Sequence, residues 1–272
     1  MALKEVFLIV LCLIWIAFAV IQDLRKREIA NWLNFSLIIF AIAFRFFFSL
    51  FSEEGFGFFY QGLIGFAIFF VIGNMLYYGR VFAGGDAKLM IALGAIIPLS
   101  NNFPENLNIM LKFLLLFLVS GALYGIIFGV ALGLKDKKKF SKDFASRFKK
   151  HKKIFYISII VSTVFLVLSF VESLFLYLGI LFFISPYIYF FAKSIDESCM
   201  VKKVNTKELT EGDWLYKDVK IGKRVIEAHW EGLSLSEIQF LRKNMKFVSI
   251  RQGIPFSPVF LISYLVLIIF FI

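Results

Sequence analysis

The chain has 272 residues, of which 60% are apolar and 37 are Phe, and its 30 Lys and Arg outnumber 19 Asp and Glu for a net charge of +11. An apolar share so far above the roughly 45–50% of soluble domains excludes an ordinary water-soluble globule and predicts an all-α polytopic membrane protein. Two cysteines, Cys12 and Cys199, and two histidines, His151 and His229, stand far apart with no ligands beside them, so neither a disulfide framework nor a metal or other cofactor is expected.

In chain order, apolar runs near the roughly 20 residues that cross a bilayer fall at 3–22, 31–51, 58–78, 109–134, 154–171, 173–192 and 255–272. A shorter run at 86–99 would rise only about 21 Å, so it must borrow residues 81–85, enter a thinned region or be re-entrant. The count is about eight membrane segments, six at the least. Residues 1–22 resemble a signal peptide in outline, but the long apolar run and Arg25, Lys26 and Arg27 directly after it read as a retained anchor.

Basic residues set the orientation, because Lys and Arg collect on the cytosolic side. With the N-terminus outside, the segments 23–30, 79–88, 135–153 and 193–254 face inward and hold 27 of the 30 Lys and Arg against 14 of the 19 acids, a net +13. The expected location is the plasma membrane, crossed many times. No nucleic-acid partner is expected. The corresponding division is a membrane catalytic core at 1–134, a basic loop at 135–153, further membrane helices at 154–192, a small α+β cytosolic module at 193–254 and a last membrane helix at 255–272.

Within the basic loop, Phe140, Phe144 and Phe148 recur every four residues among ten cations. That pattern predicts a helix lying in the headgroup layer, aromatic side down and cations toward anionic lipid. Gly121, Gly125, Gly129 and Gly133 form a ridge on one helical face, which should pack against another helix or receive a substrate helix. Arg45 and Lys112 are expected to snorkel to the outer interface, and Asn74 to bond between helices. In the module, residues 219–225 around Gly222 read as a hairpin. Ser234-Leu235-Ser236-Glu237 is a capping box that starts a helix running to about Lys246, with Leu233 and Ile238 as its staple.

Ionisable groups at membrane depth are expensive, so Asp23 and Asp86 are the first functional candidates. Asp23 ends the first run and Asp86 opens the short one, both on the inner face. Two such carboxyls read as a hydrolytic dyad in which one deprotonates a water while the other polarises a carbonyl. Helix polarity alone would make Asp23, at a C-terminal end, the acid, and Asp86, at an N-terminal end beside Lys88, the base. Gly84 and Gly85 would let a substrate backbone approach Asp86 and would permit unusual dihedrals.

Ala83-Gly84-Gly85-Asp86-Ala87-Lys88 resembles the GxGD signature of the type IV prepilin peptidase family, with Ala83 at the first glycine. Asp23 followed by Arg25-Lys26-Arg27-Glu28-Ile29 and Asn31 is similar to that family's first aspartate motif. The resemblance covers roughly residues 1–135. The strings Leu209-Thr210-Glu211-Gly212-Asp213, Gly232-Leu233-Ser234 and Gly253-Ile254-Pro255-Phe256 look like the module of archaeal prepilin and preflagellin peptidases. The resemblance implies an aspartic endopeptidase with Asp23 and Asp86 catalytic and Gly84, Gly85 and Lys88 shaping the site. Its implied substrates are pilin or archaellin precursors, cut behind a short basic leader at the cytosolic face. Two alternatives use the same acids: another GxGD intramembrane protease, and a proton- or ion-coupled transporter.

Overall fold

The computed structural model describes residues 2–53, 55–222 and 224–271. It shows an all-α polytopic membrane protein with a small sheet module. Five helices among the described residues are long and apolar enough to cross a bilayer: α1 (Leu3–Lys26), α2 (Asn31–Phe51), α3 (Gly57–Tyr78), α5 (Phe103–Lys135) and α8 (Leu174–Ser194). A sixth span arises if α6 (Lys137–Lys150) and α7 (Lys152–Leu168), bent by 71° at their junction, count together. Helices α4 (Gly84–Gly94) and α10 (Ser257–Phe271), with 11 and 15 residues, are shorter. They rise about 17 and 23 Å against a hydrocarbon layer of about 30 Å.

The chain divides into two compact units, residues 1–125 with 254–272, and residues 126–253. Helix α5 begins in the first and ends in the second.

The first unit is organised around α4. This helix stops after three turns, and the chain then runs without regular structure through Ile96, Ile97, Pro98 and Leu99, all buried. Carbonyls freed in an apolar interior must find donors within the protein. Arg45 of α2, fully buried, supplies them: Nε donates to Ala95 O at 2.9 Å, Nη1 to Phe58 O at 2.8 Å, and Nη2 to Ile96 O at 3.1 Å and to Pro98 O. Its guanidinium also lies 4.3 Å from the centre of the Phe58 ring. Arg45 therefore does not snorkel to an interface; the carbonyl end of a broken helix holds the cation in place. Asn106 of α5 fastens the same connection from the other side, accepting from Ser100 N at 2.9 Å and donating to Ser100 O at 2.8 Å and Gln61 Oε1 at 3.0 Å.

Close backbone approach completes this packing. A methyl group on Gly65 of α3 would strike Gly94 O and the Pro98 ring, one on Gly94 would strike Gly65 O and Phe69, and one on Gly62 would strike the Arg45 side chain. Gly65 and Gly94 thus bring α3 and α4 close together, where small residues admit a short helix beside a long one. Of the α5 ridge, Gly121 faces Phe256, Gly129 faces Phe191 and Gly133 faces Ile195, while Gly125 borders open space. Side chains of the protein itself cover most of that ridge. Asn74 bonds back to Phe70 O of its own helix at 2.7 Å rather than across to a neighbour, and Lys112 Nζ lies 5.0 Å from the Phe271 ring centre.

In the second unit, α6 forms over the basic loop, and aromatic rings along it contact neighbouring helices. Phe140 packs edge-on against Phe191 of α8, and Phe148 lies 4.3 Å from Phe155 of α7 between ring centres. Arg147 is engaged by Asp143 and Glu197, each at 2.6 Å. A π-helical turn (Ile195–Cys199) leads from α8 into an antiparallel sheet of order β1 (Val201–Asn205), β5 (Phe247–Arg251), β2 (Trp214–Leu215), with a separate hairpin of β3 (Val219–Ile221) and β4 (Arg224–Ile226). Gly222 in the hairpin takes φ +58°, which favours glycine. Helix α9 (Leu235–Asn244) starts at the Ser234/Glu237 capping box, and Leu233 and Ile238 are buried in the module core with Leu241, Val248 and Ile250.

Replacing Arg45 by Met should destabilise the protein by roughly 3–5 kcal/mol, because buried carbonyls lose a charged donor. Arg45→Lys should recover only part of the loss, since an ammonium lacks the planar fork. Thermal unfolding in mild detergent checks both. In the module, Ser234→Ala should cost about 1 kcal/mol through loss of the cap.

Candidate active site

Asp23 lies in the last turn of α1, where Arg27 closes the helix with φ +59° and its N–H on Asp23 O at 2.8 Å. Gln22 then turns the chain toward α2 by accepting from Ala30 N at 3.0 Å. Asp86 occupies the first turn of α4, three residues after the N-cap Ala83, and its carboxyl accepts the Ala83 backbone N–H. This is the return half of a capping box. Sixty-three positions apart in sequence, the two carboxyls are close enough for each to feel the other's charge. Asp23 is 7% exposed and Asp86 is partly buried.

The remaining predicted residues surround Asp86. Lys88 reaches across to α2 and donates to Asn31 Oδ1 at 2.6 Å, so it ties α4 to the segment following Asp23. Gly85 is pressed against Ile29, whose Cβ would stand 3.3 Å from an added methyl group, and its carbonyl accepts from Asn34 Nδ2 at 3.4 Å. Gly84 is less confined, the nearest atom to such a methyl being a Tyr77 ring carbon at 3.8 Å. Neither glycine has a positive φ, so their smallness matters and their dihedral freedom is unused. Ala83, with φ −71° and ψ 160°, sits in ordinary extended backbone, where alanine in place of glycine carries no strain.

Three features were not legible as parts of a site. First, the backbone N–H of Ser257, the opening residue of α10, donates to Asp23 Oδ2 at 3.1 Å in a buried environment. Asp23 thus stands at a helix C-terminus and against a helix N-terminus together, which removes the polarity argument for making it the acid. Second, the hydroxyl of Tyr124 on α5 lies within the fields of Asp23 and Arg27. Third, Phe82, just before the Asp86 loop, joins Phe117 of α5 and Phe256 and Phe260 at the start of α10, with ring centres 4.6–6.1 Å apart. This cluster draws the starts of α4 and α10 to one place. The string Gly253-Ile254-Pro255-Phe256 was the available signal, but nothing local connects it to Asp23.

The arrangement is one of two interacting carboxyls, each accepting a backbone N–H at the start of a short helix. Such a pair can hold one negative charge and one proton, the state that activates water for attack on a carbonyl.

Residues 10–130 match the type IV leader peptidase family. A stretch of 80 residues is 32% identical to a preflagellin peptidase of Methanococcus maripaludis, covering 29% of this chain and 34% of that protein. A stretch of 83 residues is 35% identical to a preflagellin peptidase of Methanocaldococcus jannaschii, covering 30% and 35% respectively. The chain spans about a third of the length of the curated relatives it matches. No solved structure matches the chain significantly.

Spacing around the two glycines separates their roles. Gly84→Ala should leave thermal stability within about 0.5 kcal/mol of wild type, because the added methyl meets only an ordinary van der Waals contact with the Tyr77 ring. Gly85→Val should lower it by roughly 1–3 kcal/mol through overpacking against Ile29. Paired unfolding curves in detergent measure the difference.

Proposed function

We propose, for a chain whose residues 10–130 match the type IV leader peptidase family, that it is a membrane aspartic endopeptidase removing the short basic leader from type IV pilin-like or archaellin precursors. The observation that carries the reading is the convergence of Asp23 and Asp86, from different helices, into one electrostatically coupled pair.

In the reaction a water bridges the two carboxyls. The ionised member takes a proton from the water as its oxygen attacks the scissile carbonyl carbon, while the protonated member donates to the carbonyl oxygen. The tetrahedral intermediate collapses with proton transfer to the leaving nitrogen, which yields a carboxyl on the leader and an amine on the mature protein. Because the two groups share one proton, the pH dependence belongs to the pair rather than to either residue. The sequence-based division of roles, Asp86 as base and Asp23 as acid, is replaced by this shared state, since a helix start faces each carboxyl.

Placement of the pair at helix ends suits a peptide bond at the membrane surface, and the concentration of basic residues in the segments around it supports the cytosolic side of the plasma membrane. Gly84 shapes the approach to Asp86, and Lys88, held by Asn31, fixes the loop. The exposed cations of α6, among them Lys138, Lys142 and Lys149, are suited to anionic lipid headgroups.

Purified protein in detergent should cleave a precursor carrying a basic leader before an apolar helix, read by the shortened product and its new N-terminus. Asp23→Asn and Asp86→Asn should each reduce the rate by at least about 10³-fold, as loss of an acid–base group does, with helical content and unfolding temperature retained. Processing by either variant at the wild-type rate would remove that residue from the mechanism.

A further inference from the structure

Helix α10 lies outside the residues that match the leader peptidase family, 10–130, and is separated from them by the whole sheet module. Its first residue nevertheless meets Asp23. Ser257 is fully buried, its N–H donates to Asp23 Oδ2 at 3.1 Å, and its hydroxyl has no partner among the described residues. The turn is held in place by Phe256, which packs on Phe82, Phe117 and Tyr124, and against the site of Gly121. Pro258, second in the helix, is tolerated where no intrahelical N–H bond is required.

We infer that the start of α10 is an integral part of the active site, with Ser257 a positioning residue that fixes Asp23 and favours the charged state of the pair through its backbone N–H. The inference rests on the peptidase reading above. A free N–H at a helix start stabilises an anion by direct hydrogen bonding and by the helix dipole. Asp86 already receives such a donor from Ala83. Ser257 supplies Asp23 with a backbone donor that offsets the unfavourable carbonyl end of its own helix. Charged or titratable groups near Asp23 include Asp86 on α4, Tyr124 on α5 and Arg27 on α1; the first turn of α10 carries none. The α10 contribution is therefore the backbone donor itself.

The test uses the full chain. Ser257→Pro removes the N–H at a position where a helix accepts proline, and an ester in place of the 256–257 amide removes the same donor without a ring. A donor to the charged form favours it, so its loss makes the pair bind protons more tightly. The expected result for both variants is an acidic limb of the kcat profile moved to higher pH by about one unit, so that kcat at a given pH on that limb falls about tenfold, with the plateau above it retained and KM changed less than about twofold. Ser257→Ala keeps the N–H and should leave the limb in place. A merely structural role would lower activity evenly across pH.

Isotope-edited infrared spectra of aspartate, with Asp23→Asn subtracted, read the same bond without activity. Loss of the donor should shift the Asp23 carboxylate band. An unmoved limb and an unmoved band in the ester variant would overturn the inference while leaving the peptidase reading intact. If wild type cleaves no precursor, the peptidase reading falls, and the infrared band still decides whether Ser257 holds Asp23.

Discussion

A helix that ends inside an apolar interior must have its last carbonyls satisfied by the protein, and in this chain one guanidinium does so. Arg45 spans Phe58, Ala95, Ile96 and Pro98, and it makes a three-turn helix possible where a full crossing would otherwise be required. The consequence reaches Asp86. Because α4 is anchored at its far end by Arg45 and along its side by Gly65 and Gly73 of α3, its first turn is held at a defined depth, with Lys88 and Asn34 fastening it to α2. A buried cation without a carboxylate partner is costly unless its hydrogen bonds are fulfilled. Here the dipole end of the helix it caps fulfils them.

A second short helix also begins at the aspartate pair, and both α4 and α10 fall short of a bilayer. The Phe82, Phe117, Phe256 and Phe260 cluster explains how two helix starts more than 170 positions apart meet. Aromatic rings carry large buried area and tilted contacts that fix orientation. The abundance of Phe is thus more than a lipid-facing composition; part of it assembles the site. Two helix starts against two carboxyls create a place where one net negative charge is stabilised.

Candidate-site residues differed in how legible they were. Asp23 and Asp86 stood out because ionisable groups are rare in apolar runs, and the glycines because they preceded one of them. Arg45 carried the same signal of a charge within an apolar run, yet it was assigned to an interface, since no local pattern reveals that carbonyls 50 positions away need a donor. The aromatic period of α6 correctly marked a helix, but the same period serves a protein-facing stripe or a lipid-facing one. In the structure that stripe meets Phe191 and Phe155 on the neighbouring helices.

Composition and run length by themselves determined the membrane class, the helix positions, the capping box at Ser234 and the hairpin at Gly222, because each follows from hydropathy or from dihedral demands within a few residues. The pairing of Asp23 with Asp86, the capping of α4 by Arg45 and the arrival of Ser257 at Asp23 were decided only by the tertiary structure. Those contacts join residues dozens to hundreds of positions apart, and their energies come from burial and hydrogen-bond satisfaction, which exist only once the helices are packed.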